Sequence, residues 1–259
     1  MALREEVADF LRSGAFRCVD TSEALSFYES QTLPHVAVVE GGPGRLRAQE
    51  TTVAALDRYH PRMIISAGFG GGTISSLKPG DLVIGETVLS LRGPSSDWKK
   101  DSAAIKKMFS QKEHRELEQV AASLKHPAVF GNIATVDRLV TSSQSKAWLG
   151  QTLSASVVDL ESYWVTDIAV GRSTRCIALR SVLDPMEQEL PAFVAFATED
   201  ASQRSWWRAA LYALRRPGDV PTLLSLSSQY RAAKASLSAA LHSFASSQML
   251  EPLSTTRVG

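Results

Sequence analysis

Short apolar runs alternate with helix-patterned stretches along most of this chain, and that alternation limits its fold more than any other feature. His35–Val39, Met63–Ala67, Asp81–Leu91, Val129–Thr135, Val157–Leu160 and Cys176–Leu183 read as strands. Arg45–Arg58, Ala103–Leu124, Ser143–Leu149 and Ser162–Gly171 between them have helical composition. Strand, helix, strand in repetition predicts an α/β fold, a three-layer α/β/α sandwich around a mixed, largely parallel sheet. Ligands in such sheets bind beyond the carboxyl ends of the strands.

The C-terminal quarter reads differently. Trp207, Leu211 and Leu214 fall at helical spacing, Arg215–Gly218 breaks the chain, and Leu237, Leu241 and Phe244 mark a second helix. One domain is expected over residues 1–250, with a helical extension at about 198–248 and a frayed tail at 251–259. Sheets of this class ordinarily open on an apolar strand. Here the helix-like EEVADFLR stands almost at Met1, so that strand is expected to be missing or supplied by something else.

Lys and Arg number 28 against 27 Asp and Glu, so no net field gathers nucleic acid, and a small ligand suits the chain better. Its two cysteines, Cys18 and Cys176, support neither a disulfide framework nor a zinc knuckle, and no metal site is expected. No uncharged apolar run approaches the roughly 20 residues that span a bilayer. A cytoplasmic protein without an integral membrane segment is the expectation.

Four stretches can carry chemistry. SAGFGGGT, Ser66–Thr73, reads as a glycine turn after a strand, its amides forming an anion-binding concavity, and EGGPGRLRA, Glu40–Ala48, reads as a second such turn. Neither matches a dinucleotide fingerprint or a P-loop. SVVDLESYW places Asp159 and Glu161 two apart at a strand-to-helix junction, where one caps the helix and the other is free for a polyhydroxylated ligand. In CIALRSVLDPMEQELP, Asp184 ends an apolar strand immediately before a proline. Burial there raises a carboxyl toward the range of a general acid.

In this order, the glycine turn, IISAGFGGGTISSLKPGDLVIGE, the VVDLES element and the strand ending RSVLD resemble the nucleoside phosphorylase and nucleosidase superfamily. The resemblance implies cleavage of a purine nucleoside's N-glycosidic bond by a homo-oligomer, a dimer, without a cofactor and with inorganic phosphate open as co-substrate. Asp184 would protonate the departing base and Glu6 would orient a water. Glu161 would hold the ribose hydroxyls over Leu160, Leu139 and Val140 would line the base site, and Gly68, Phe69, Gly70, Gly71 and Gly72 would surround the nucleophile.

Phe69 stands where many relatives carry a small or hydroxylated residue. Arg45, Arg47 and Arg180 are candidates for phosphate without a motif match. DPMEQELP together with RRPGDVP further resembles hopanoid-associated phosphorylases. That implies a lipid-linked substrate, adenosylhopane, at the inner membrane face, with Trp206, Trp207, Leu211 and Tyr212 lining a groove or touching the membrane. The alternatives are a methylthioadenosine/S-adenosylhomocysteine or futalosine nucleosidase, and a purine-binding protein without turnover.

Overall fold

The computed structural model describes residues 4–22, 25–100, 103–124, 128–190 and 220–247. Its first element is α1 (Arg4–Ser13), followed by β1 (Phe16–Ser22), β2 (Leu25–Ser30) and β3 (Ala37–Glu40). Then come α2 (Arg45–Tyr59), β4 (Met63–Gly72), β5 (Leu82–Leu91), β6 (Ala104–Lys107), α3 (Gln111–Ala122) and β7 (Ala128–Val136). The sequence continues with α4 (Ser143–Leu153), β8 (Ala155–Asp159), α5 (Ser162–Gly171), β9 (Arg175–Asp184) and α6 (Val220–Ala245). Trp206, Trp207, Leu211, Tyr212, Leu214, the chain break at Arg215–Gly218 and the tail at 251–259 lie outside the described residues.

The strands form two sheets. An antiparallel sheet runs β1-β2-β3, and a mixed one runs β6-β5-β7-β8-β4-β9, with β5 also pairing with β9. That extra pairing closes β5, β7, β8, β4 and β9 into a ring, made possible where β5 shifts register between Gly85 and Thr87. The β4–β9, β5–β7 and β7–β8 ladders are parallel, which is why these runs are apolar without clean alternation. Val83, Val88, Ile133, Val157, Ala178 and Val182, all buried, pack as one cluster inside the ring.

Helices cover the outside. Ala233, Leu237, Ala240, Leu241 and Phe244 recur at helical spacing on α6 and are buried against Phe10 of α1, Leu117 of α3 and the β4 and β9 strands. Burying the Leu and Phe side chains contributes about 1.5–3 kcal/mol each. α2 and α5 pack on each other and bury Ala48, Trp164, Val165 and Ala169 with Cys176. Among the described residues no helix is long and apolar enough to cross a membrane.

Three elements differ from the sequence reading. Ala103–Leu124 is not one helix: Ala104–Lys107 pairs with the edge of β5, Ile105 opposite Leu89, and α3 begins only at Gln111. The start signal lies in the sequence, because Ser110 and Glu113 form a reciprocal capping box. β1 and β2 were not anticipated, since the β1 pattern is exposed at almost every position and has no apolar period. The glycine run after MIISA is no turn, as β4 continues in extended conformation to Gly72.

Candidate active site

The second glycine segment is a true turn. Gly42 and Gly44 have φ of 88° and 90°, a region that glycine enters at little cost, and the Gly44 N–H donates to Glu161 Oε1 at 2.9 Å. This bond ties the turn before α2 to the start of α5. Glu161 occupies the N-cap position of α5, yet its side chain makes no capping bond and reaches across to Gly44 instead. Capping falls to Asp159, which accepts from the Ser162 N–H at 3.0 Å, from Thr135 Oγ1 at 2.6 Å and from Arg180 Nε at 2.6 Å. The expected division of labour between the two carboxylates is therefore present. Burial, then the neighbouring charge of Asp159, push the Glu161 carboxyl up to about 7, with Arg180 and the Gly44 N–H opposing.

Arg180 is buried and committed. Besides Asp159 it donates to Ser66 O at 2.6 Å and to Ser66 Oγ at 3.0 Å, so its fork ties together β4, β8 and β9. That rules against its reading as a phosphate ligand. Arg47 pairs with Glu50 on the surface at 3.0 Å, the solvated role a helix start allows. Arg45 lies over the Trp164 ring at 4.5 Å, and Arg92 approaches the same ring at 5.5 Å.

Asp184, at the end of β9, is buried and forms an ion pair with Lys146 Nζ. The same ammonium donates to the carbonyls of Pro185 at 3.1 Å and Gln188 at 2.7 Å. The Asp-Pro turn and the acid thus grip one lysine with all three of its protons. Burial pushes the Asp184 carboxyl above its ordinary range, while Lys146 pulls it down. Sequence reading missed Lys146, although the signal was there. Lys146, Leu149 and Leu153 sit at i, i+3 and i+7 on one face of α4, and a lysine on a buried stripe needs an acid.

The glycines of β4 are explained by what surrounds them. A Cβ on Gly68 would come within 3.3 Å of Glu6 Oε2, one on Gly70 within 3.1 Å of the Val158 carbonyl, and one on Gly71 within 3.3 Å of Asp184 Oδ2. Gly72 lies against the Asp184 backbone, where a Cβ would stand 3.4 Å from its carbonyl. The run lets two carboxylates approach one strand closely, which a helix-start phosphate loop does not require. Glu6, on α1, accepts from the Phe69 N–H at 3.3 Å. The Phe69 ring turns away to meet Tyr230 edge-on at 5.5 Å.

The sequence-predicted residues assemble into two adjoining groups. Asp184, Leu139, Val140, Leu160 and Gly71 line a hollow of about 30 Å³. Glu161, Glu6 and Gly68 line the end of a cavity of about 810 Å³. Asp184 and Glu161, which the resemblance implies act on one nucleoside, thus border separate hollows. The Asp159–Arg180 pair sits between the two spaces, Asp159 bordering the smaller and Arg180 the larger.

Comparison with known proteins places the chain in a family. A 5'-methylthioadenosine/S-adenosylhomocysteine nucleosidase of Geobacillus kaustophilus is 28% identical over 206 residues, 73% of this chain and 83% of that protein. The same-named protein of Anoxybacillus flavithermus is 37% identical over 90 residues, 34% of this chain and 38% of that one. Among solved structures, the futalosine hydrolase of Helicobacter pylori superposes with a TM-score of 0.64 at 18% identity, over 93% of this chain and 94% of that one. The Neisseria meningitidis nucleosidase in complex with methylthio-immucillin-A superposes with a TM-score of 0.66 at 18% identity, over 93% and 94%. The Phosphorylase superfamily profile matches residues 1–210, and the chain belongs to that superfamily.

Proposed function

We propose that this protein cleaves the N-glycosidic bond of an adenine nucleoside, with Asp184 protonating the leaving base and Glu161 holding the sugar. The observation that carries this is a set of carboxylates around one strand and one turn: buried Asp184 lies against Gly71 of β4, Glu6 against Gly68, and part-buried Glu161, held by the Gly44 N–H, borders the same cavity as Glu6. Departure of the base leaves an oxocarbenium-like sugar, so the reaction needs an acid on the base side and negative charge on the sugar side. A space of about 30 Å³ takes a water molecule or two, not a purine. Binding must therefore widen the hollow, by moving Leu139 and Val140 on the segment before α4 away from Leu160.

Water is the nucleophile we favour. Glu6 lies against Gly68 and the Phe69 N–H, at the end of the larger cavity that also borders Glu161. Phosphorolysis is the second reading, and one feature supports it: Arg45 and Arg92 converge on Trp164, with Arg45 Nε buried and without an acceptor. Release of adenine measured with and without phosphate separates the two. Hydrolysis predicts equal rates and a free ribosyl product, whereas a phosphate requirement overturns it.

We propose adenosylhopane as the substrate, its hopanoid chain being the 5′ substituent, on the residues DPMEQELP and RRPGDVP. Methylthioadenosine, S-adenosylhomocysteine and futalosine are the competitors to assay beside it. Tight nucleoside binding with no base released from any of them would select a binding protein.

Glu161 gives the reaction a pH dependence with a definite sign. Its carboxyl titrates at about 7, and the carboxylate accepts two ribose hydroxyls where the neutral acid accepts less well. We expect kcat/KM to rise with pH through about 7 and Glu161→Gln to lose that limb. An unchanged limb in the variant assigns it to another group.

A further inference from the structure

The acid is held at one remove. Asp184 pairs with Lys146, and the same ammonium donates to the carbonyls of Pro185 and Gln188 at 3.1 and 2.7 Å. Whatever fixes residues 185–188 therefore fixes the ammonium, and with it the carboxyl. These residues form a turn beyond β9, closed by the Gln188 N–H on the Pro185 carbonyl at 3.2 Å. A turn of this kind moves more readily than the elements beside it, so its own attachments decide how well the acid is placed.

Two bonds tie the turn to opposite neighbours. On one side the Leu190 N–H donates to the Thr141 carbonyl at 2.9 Å, beside Leu139 and Val140. On the other, Gln229 of α6 donates from Nε2 to Gln188 Oε1 at 2.6 Å. Thr141 belongs to the segment that shifts when a purine enters the hollow, so its bond draws the turn along with that segment. α6 is the firmer anchor. Ala233, Leu237, Ala240 and Phe244 on it are buried, and a Cβ on Gly80, whose N–H donates to the Val182 carbonyl at 2.8 Å, would come within 3.4 Å of Ala232.

The Gln229 amide is also set in advance. Both protons of Nε2 are used, the second on Ser225 Oγ one helical turn earlier at 3.1 Å, which fixes the orientation offered to Gln188. Gln229 Oε1 is buried and has no donor among the described residues. A buried carbonyl left unpaired is destabilising, and leucine, of similar size, would spare α6 that loss. Packing of the helix therefore does not account for an amide here, whereas the bond to Gln188 does.

We propose that Gln229 is a positioning residue for the reaction: through Gln188 and Lys146 it keeps the Asp184 carboxyl against β4 while the base-side segment opens, a role that presupposes Asp184 as the acid. Proton transfer requires the two heavy atoms to come within about 2.6–3.2 Å, and a displacement of about 1 Å costs on the order of 100-fold. Loss of one neutral hydrogen bond loosens the turn by less. Gln229→Leu is expected to lower kcat about tenfold with KM little changed.

The experiment is a double-mutant cycle on adenine release under single turnover, with the nucleoside of the preceding section that the parent cleaves fastest. In an Asp184→Asn background no proton is delivered from position 184, so Gln229→Leu should cost less than about twofold there. Gln188→Met removes the same bond from the turn and should reproduce both results. Equal losses in the two backgrounds, or no loss in the parent, overturn the proposal. Asp184→Asn alone tests the acid: a rate near the parent's removes that reading, whatever the Gln229 variant does. Amide hydrogen exchange reads the clasp without turnover. In Gln229→Leu the amides of Gln188 and Leu190 should exchange at least about tenfold faster, while those of Ile177–Val182 in β9 keep the parent rate. Unchanged exchange at 188 and 190 overturns the proposal even where Asp184 proves to be the acid.

Discussion

Replacing Asp184 with asparagine is expected to lower the rate of adenine release by about 10²–10⁴-fold, the usual contribution of a general acid, while nucleoside affinity changes little. The amide keeps the shape of the carboxyl, and its oxygen still accepts from Lys146. What it cannot do is deliver a proton to the base. Binding and turnover therefore part company, and equilibrium binding of a nucleoside analogue beside single-turnover rates reads the split. The substitution also leaves the Lys146 ammonium without a countercharge, so melting temperatures belong in the same experiment. A variant that melts normally and turns over near the parent rate removes Asp184 from the chemistry.

Lys146→Met is expected to have the largest effect on stability. In the parent, both members of the pair are buried, and removing one partner leaves the other charge uncompensated at a cost of about 3–5 kcal/mol. For a protein of this size that is a fall of roughly 10 °C in Tm. The sign of its pH dependence distinguishes it from a packing defect. Without the cation, burial alone acts on Asp184 and raises its folded carboxyl further, while the unfolded chain titrates near 4.

An acid with a raised folded pKa contributes no penalty below its unfolded pKa and a growing one as pH rises toward the folded value. The deficit of the variant should therefore be greatest near neutrality and shrink by up to about 1.4 kcal/mol per unit as pH falls toward 4. A deficit that stays constant from pH 4 to 7 would mean that the lysine acts by packing alone. Lys146 is a positioning residue in this scheme. It holds the acid and the Asp-Pro turn in one place and opposes the rise that burial imposes on the acid.

Much of the site was legible because its residue types are costly anywhere else. A carboxylate closing an apolar strand, two acids at a strand-to-helix junction and a glycine run in a buried strand all break local rules, and each makes specific contacts in the structure. The reading of the glycine run was right in location and wrong in cause. Its residues are small because Glu6, Val158 and Asp184 crowd the strand, a fact held by side chains far away in the chain. The helix read at Ala103–Leu124 failed for a related reason. The edge of β5 captured Ala104–Lys107 through backbone pairing to which composition is blind.

By itself the sequence determined most of the strands and helices from β3 onward and the parallel character of the main sheet, since periodicity and residue type act within windows of about ten residues. Only the tertiary structure decided which carboxylate caps α5 and which faces the cavity, that Asp184 has a lysine partner, and that the two acids border separate hollows. Those outcomes rest on contacts between Gly44 and Glu161, Glu6 and Phe69, and Lys146 and Asp184, which are 117, 63 and 38 residues apart. The cavity of about 810 Å³ is of the same kind. It is a space between elements, and a space exists only once the elements around it have packed.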